Sequence, residues 1–284
     1  MSPHSTTSLS VSRRGLGSAI AEECATLARH RWLVWELVKR EHADRYAGSF
    51  FGSLWAIGHP LLLMAVYVVV FSYVFRLKLG GTVEMPLDYT AYLMAGYLPW
   101  MALQESSLKA ASAITGHAGL VKEAAFPLEI LPVKTSLSVL VTQAVGTAFL
   151  VGYIAFVHRT APWTYLLIPG LLGLQVLTMI GIALGIAAVG VYLRDTRELV
   201  QVGALIGMYL VPVFFIPEWT PAALRPLIYL NPLSSMIWCY QDVFYFGRFE
   251  HPAAWLVFTA LAVTSWRVGA SLFGRLKDHF GAAL

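Results

Sequence analysis

Long apolar runs recur six times along the chain, each closed by charge, proline or glycine. A helix needs about 20 apolar residues to cross the ~30 Å hydrocarbon core of a bilayer, and the pattern predicts six spans. They are Leu54 to Phe75, closed by Arg76 and Lys78; Tyr89 to Leu103, able to continue into the polar stretch after Gln104; Val133 to Val157, closed by His158 and Arg159; Tyr165 to Tyr192, closed by Arg194; Val200 to Ile216, closed by Pro217; and Ala254 to Phe273, closed by Arg275 and Lys277. An even number of spans puts both termini on one side.

Three further pieces carry a pattern without spanning. His30 to Ala47 reads as a helix with Leu33, Val34, Leu37 and Val38 on one face and Trp32, Trp35, Lys39 and Arg40 beside it. Such a helix lies in the membrane interface; because Glu41 interrupts the face, a charged juxtamembrane helix is the alternative. The connection from Gln104 to Pro132 is long for a loop and holds a patterned stretch from Gly119 to Pro132, as segments that bind a partner do. Glu218 to Pro252 is broken by Pro221, Pro226 and Pro232 yet is rich in Leu, Ile, Trp and Tyr, which suits a re-entrant pair of short helices.

Composition sharpens this picture. Of the 284 residues 57% are hydrophobic and 13% charged, against about 25% charged in soluble domains, which excludes soluble enzyme folds. The net charge of +4 would suggest nucleic acid in a soluble protein; here Lys and Arg encode orientation instead. On the predicted topology 15 of the 20 fall on the side of the termini, and only Arg76, Lys78, Arg159, Arg225 and Arg248 on the other, so both termini are expected in the cytoplasm. Residues 1–29 lack the apolar core of a cleavable signal peptide. Cys24 and Cys239 fall on opposite sides, so no disulfide is expected.

Chemistry is excluded next. The sequence has no phosphate-binding G-x-x-x-x-G-K-[ST] loop, no H-E-x-x-H, no C-x-x-C and no G-x-S-x-G, so this chain is not expected to hydrolyse ATP or hold a metal. The predicted spans contain no Asp or Glu, and His59 and Arg267 read as interfacial residues rather than ion-coupling groups. Gln143 and Gln175 read first as interhelical hydrogen-bonders and second as pore lining; the Gly181/Gly185 and Gly203/Gly207 pairs permit close helix packing. Asp195 and Glu198 beside Arg194 and Arg197 suggest a solvated, salt-bridged corner. Aromatics are dense from Tyr209 to Phe249. Most suit a belt at headgroup depth, while Tyr209, Phe214, Trp238 and Tyr240 are candidates for a path along which aromatic faces meet sugar rings.

A chain with neither ion-coupling groups nor a nucleotide site needs an external energy source. Asp44-Arg-Tyr-Ala-Gly-Ser-Phe-Phe-Gly-Ser-Leu-Trp-Ala56 followed by Pro60, Ala95-Gly-Tyr-Leu-Pro-Trp100, Leu120-Val-Lys122 with Phe126-Pro127 and Glu129-Ile-Leu-Pro132, Tyr192-Leu-Arg-Asp195 and Tyr229-Leu-Asn-Pro-Leu233 appear in that order. Together they resemble the type-2 ABC exporter permeases for polysaccharides, which carry lipid-linked O-antigen, capsule or teichoic acid. The resemblance spans about Leu33 to Phe273, with departures at His117-Ala-Gly119, where relatives often have Asn, and at Leu128, where a basic residue is common.

The resemblance implies an all-α integral membrane protein. Its parts would be a cytoplasmic tail (1–29), an interface helix (30–53), a six-helix transmembrane domain (54–275) with a cytoplasmic coupling helix and periplasmic gate helices, and a C-terminal tail (276–284). In the coupling element, which would include Pro127, Phe126 would anchor in a groove of the ATPase, Leu120 and Val121 would supply helix-face contacts, and Lys122 and Glu129 would be peripheral charges. Two copies of this chain and two ATPase subunits would form an exporter in the bacterial inner membrane. ATP and Mg would sit on the ATPase, no cofactor on this chain, and a lipid-linked polysaccharide, closest in pattern to O-antigen, would pass between the copies. A type-2 permease for a drug or lipid and a membrane transferase acting on lipid-linked sugars are the alternatives; the transferase lacks a catalytic acid, base or metal set.

Overall fold

The computed structural model describes residues 29–46, 48, 52–70, 85–121, 126–217 and 220–283. The helices are α1 (Arg31–Tyr46), α2 (Trp55–Val68), α3 (Tyr89–Ala110), α4 (Ile130–Tyr153), α5 (Ile168–Tyr192), α6 (Thr196–Tyr209), α7 (Arg225–Leu230), α8 (Pro232–Gln241) and α9 (Pro252–Leu276). Cys24, Arg76, Lys78, Lys122 and Trp219 lie outside the described residues.

Local chemistry sets the helix starts. The Asp88 carboxylate accepts the Ala91 N–H at 3.0 Å and caps α3. Proline occupies the first turn of α5, α7, α8 and α9, where its missing N–H costs nothing and its φ is already helical. α4 runs on into a π-turn at Ile154–His158 that Arg159 ends with φ +52°, and α8 into one at Asp242–Phe246 that Gly247 ends with φ +65°. A Cβ on Gly247 would lie 2.9 Å from Pro162, so glycine is needed there on two grounds.

The expectation of six spans is corrected. Among the described residues three helices are long and apolar enough to cross a membrane: Ile130–His158, Trp163–Tyr192 and Pro252–His279. They match the third, fourth and sixth predicted spans. The fifth fails on length, because α6 stops at Tyr209 after 14 residues, about 21 Å, and Val211 to Ile216 are not helical. α3 has 22 residues, but Gln104, Glu105, Ser106, Ser107 and Lys109 occupy its last two turns. In the first predicted span the described α-helix covers 14 residues, continued by a short π-turn, and Phe75 lies outside the described residues.

Among the described residues α5 and α9 make the tightest packing. A Cβ on Gly269 would fall 1.9 Å from the Gly181 carbonyl oxygen, and one on Gly181 within 2.3 to 2.5 Å of the Ser265–Trp266 backbone. Backbone therefore lies directly on backbone, which only the small residues of the Gly181 motif allow. Gly203 meets open space, while Gly207 sits under the Trp100 ring.

Among the described residues the buried apolar side chains form two clusters. The larger takes in most of α3 and α8 with Phe258 and Leu150. The smaller joins Val34 and Val38 of α1 to Ile114, Ile130, Leu131, Leu184, Phe273 and Phe280, so part of the apolar face expected on α1 packs on protein, while Trp32 and Trp35 remain exposed. α6 is the opposite case: only Thr196 is buried, and Leu199, Val202, Leu205, Ile206 and Tyr209 face outward.

Candidate coupling and transport sites

One end of the bundle gathers α1, the 111–131 connection, the 193–195 turn and the segment after α9. Within the connection, Thr115–His117 forms a 3-10 turn and Ala118–Val121 a single helical turn. Of the residues expected to meet an ATPase, Leu120 and Val121 fall on that turn and Lys122 lies outside the described residues. Phe126 is half-buried against the smaller cluster, and Pro127 follows it. Glu129 is 6% exposed and binds Lys277 at 2.7 Å across 148 residues of sequence.

A charge network roots the connection in α1. The Glu41 carboxylate accepts from Lys109 Nζ at 3.1 Å and Ser138 Oγ at 3.0 Å, with Lys134 Nζ 3.6 Å away. His117 holds its Nδ1 2.9 Å from the Ala113 carbonyl, so Nδ1 donates and Nε2 is left to accept from Lys134 at 3.4 Å. Arg45 donates to Glu105 at 2.7 Å and Thr142 at 3.4 Å. Burial by itself would raise the Glu41 carboxyl; Lys109, the hydrogen bonds from Lys109 and Ser138, and Lys134 outweigh it and hold the group below the usual carboxylate range. Burial, Arg45 and Lys109 push His42 down. Glu41, Arg45, Glu105, Lys109, His117 and Lys134 line a cleft of about 780 Å³.

Sequence reasoning read Glu41 only as a break in the apolar face of α1, and Lys109 and Lys134 only as charges on the side of the termini. The one local signal was the Glu105/Lys109 spacing of four, which forms a 3.4 Å ion pair. Asp195, Glu198, Arg194 and Arg197 are exposed, and no ion pair joins them among the described residues.

The opposite end is aromatic. Tyr209 is 64% exposed and its ring centroid lies 6.0 Å from that of Phe214, so the structure brings these two path candidates together. It does not join them to the other pair. Trp238 is buried, with His251 stacked 5.3 Å away at 9° and Tyr229 at 5.3 Å. His251 is held by Asp242, a 1% exposed residue that accepts from the His251 backbone N–H, from Trp255 Nε1 at 3.0 Å, and pairs with His251 Nδ1 at 2.9 Å. A second acid–His pair, Asp88 with His158 at 3.3 Å, includes the Tyr153 hydroxyl. Neither was legible, since each pairing depends on a fold that returns distant or turn residues to one place.

Between the two ends sits a closed polar node. The Gln143 and Gln175 side-chain amides exchange hydrogen bonds at 2.7 and 2.9 Å, joining α4 to α5 as interhelical bonders. Tyr240 donates to Gln175 Oε1 and accepts from Gln143 Nε2 at 3.2 Å, and Gln175 also donates to the Pro99 carbonyl at 3.3 Å. All three residues are 3% exposed or less. Tyr240 therefore serves the packing of α8 in this chain, its hydroxyl already paired.

The arrangement is a membrane protein with several apolar helices, a charged end that holds a cleft, and no cluster of potential metal ligands among the described residues. Known proteins match it in order along most of its length. The O-antigen export system permease protein RfbA of Klebsiella pneumoniae is 29% identical over 248 residues, covering 84% of this chain and 90% of that protein. The protein of the same name from Myxococcus xanthus is 26% identical over 261 residues, covering 91% and 97%. The profile of the ABC-2 type transporter matches residues 33–245, from α1 through the Asp242 turn. With helices, charged end and family profile in register, the chain belongs to the ABC-2 type transporter family and is a membrane permease.

Proposed function

We propose that two copies of this chain form the membrane part of an ATP-driven exporter that moves a lipid-linked polysaccharide, O-antigen first among the candidates, out of the bacterial cytoplasm. The observation that carries the reading is the division between the two ends of the bundle. Arg45, Lys109, Lys134, Arg194, Arg197, Arg275 and Lys277 gather at the end that holds α1 and the 111–131 connection, whereas Arg159, Arg225 and Arg248 belong to the other. The positive-inside rule assigns the first end to the cytoplasm of the inner membrane. There Leu120, Val121, Lys122, Phe126 and Pro127 face an ATPase subunit that carries ATP and Mg, and α1 rests in the interface with Trp32 and Trp35 toward lipid. The names of the relatives support the glycan.

The outward apolar row of α6 seats the second copy, and Tyr209 with Phe214 borders the passage between copies. Trp238 and Tyr240 act from behind, by holding the short helices that shape it. The test is co-expression with the candidate ATPase in cells lacking their own exporter. Surface polysaccharide should appear only with both chains, and the purified permease alone should not hydrolyse ATP. Export without an ATPase, or turnover by the permease freed of every other subunit, refutes the reading.

A further inference from the structure

The segment following α9 folds back on the bundle. Lys277–His279 makes a 3-10 turn and Phe280–Ala283 a helical turn. Phe280 is fully buried, with its ring 5.4 Å from Phe273 and 6.1 Å from Tyr192. The Tyr192 hydroxyl donates to the Leu276 carbonyl at 3.3 Å. An aromatic wedge thus fastens the segment to the cytoplasm-proximal ends of α5 and α9. From this fastened base Lys277 reaches Glu129, whose side chain is 7% exposed against 30% for Lys277. Glu129 is the residue that opens α4, two positions after the Phe126–Pro127 turn.

We propose that Lys277 is a positioning residue and that its pair with Glu129 is the pivot on which the coupling connection turns. This rests on the reading of the 111–131 connection as the ATPase contact and deepens it. The two ends of the connection are held differently. At His117 the hold passes through a 3.4 Å contact with Lys134 to the Glu41 network. At Glu129 it is a short ion pair, buried on the glutamate side and partly exposed on the lysine side, to a segment wedged on α5 and α9. Charge-assisted hydrogen bonds at low exposure are strong and directional. A push at Phe126 is therefore taken up at Glu129 and passed to the start of α4. With the pivot loosened, the same push is spent in moving the Phe126 turn itself. Glu129, on this account, faces inward to Lys277 and makes no charge contact with the ATPase.

The test uses the assembled permease–ATPase complex. Lys277→Met, Lys277→Arg, Glu129→Gln and the exchanged pair Lys277→Glu with Glu129→Lys are compared at matched membrane levels. Three quantities are read: ATPase recovered with the permease, ATP hydrolysis by the purified complex, and surface polysaccharide on cells. Lys277→Met should retain the ATPase and hydrolysis while export per ATP falls roughly fivefold or more, the lower range of coupling between distant sites. Lys277→Arg should export normally, and the exchanged pair should restore most of what either single change loses, which a general packing defect would not do. Export by Lys277→Met at the wild-type level overturns the pivot, as does an exchanged pair no better than the single variants. Loss of the ATPase from Glu129→Gln but not from Lys277→Met overturns it by assigning Glu129 to the ATPase surface. Failure of the unaltered permease to retain any ATPase refutes the coupling reading itself.

Discussion

Replacing Gln143 or Gln175 by Leu probes the polar node that ties α4, α5 and α8. Gln143→Leu removes the two reciprocal amide bonds and the one to the Tyr240 hydroxyl. Gln175→Leu removes the same reciprocal pair, the bond from Tyr240 and the bond to Pro99. Interhelical hydrogen bonds within membranes average about 0.6 kcal/mol each. Gln143→Leu should then cost about 1.8 kcal/mol and Gln175→Leu about 2.4 kcal/mol. The double variant loses five distinct bonds, about 3 kcal/mol, instead of the roughly 4.2 kcal/mol that additivity requires. The coupling of about 1.2 kcal/mol is the signature of amides that face each other. Reversible unfolding in mixed micelles titrated with a denaturing detergent, followed by tryptophan fluorescence, measures it. Strict additivity, or single variants as stable as the wild type, would show that the two side chains point elsewhere, into a passage for instance.

Two shorter predictions follow from the packing and the charges. Gly269→Leu drives a side chain into the Gly181 carbonyl oxygen, 1.9 Å from the position of its Cβ; it should lower stability by about 3 kcal/mol, the upper range for overpacking, whereas Gly203→Ala, in open space, should not destabilise. The Glu41 carboxyl is held below its ordinary range in the folded chain, so it contributes stability above that range and loses it as pH falls through the lowered value. Melting temperature recorded from pH 7 down to about pH 3 should fall less steeply in Glu41→Gln than in the unaltered protein, and identical slopes would remove Glu41 from the acid response.

The sequence was most legible where one signal ran unbroken. The spans ending at His158 and Arg194 and the one starting near Ala254 are continuous apolar runs, and the structure extends each by only a few residues. The run from Val200 to Ile216 looked equivalent, but Leu210 leaves the helix and Pro212 follows it, so tertiary packing of Val211 and Val213 against α3 replaces a full span. Gln143 and Gln175 stood out because an amide in an apolar run needs a partner, and each was the other's. The Glu41 network was hidden for the opposite reason. Residues 41, 109, 134 and 138 look like ordinary solvated charges and hydroxyls until the chain returns them to one network. Aromatic density near Trp238 and Tyr240 carried no information about depth; both rings are buried among side chains of their own chain.

The contact of α5 with α9 has a mechanical meaning. Where side chains interdigitate, rotamer changes let two helices slide; where a glycine carbonyl rests on a glycine Cα, there is no such slack. The pair is then a stiff frame, to which Gly190 also ties the Ala111 carbonyl at the end of α3, and the sparsely packed α6 is the helix least bound to it. A substitution that slows transport without loosening the fold should fall away from the glycine seam, while one at the seam should act first on stability.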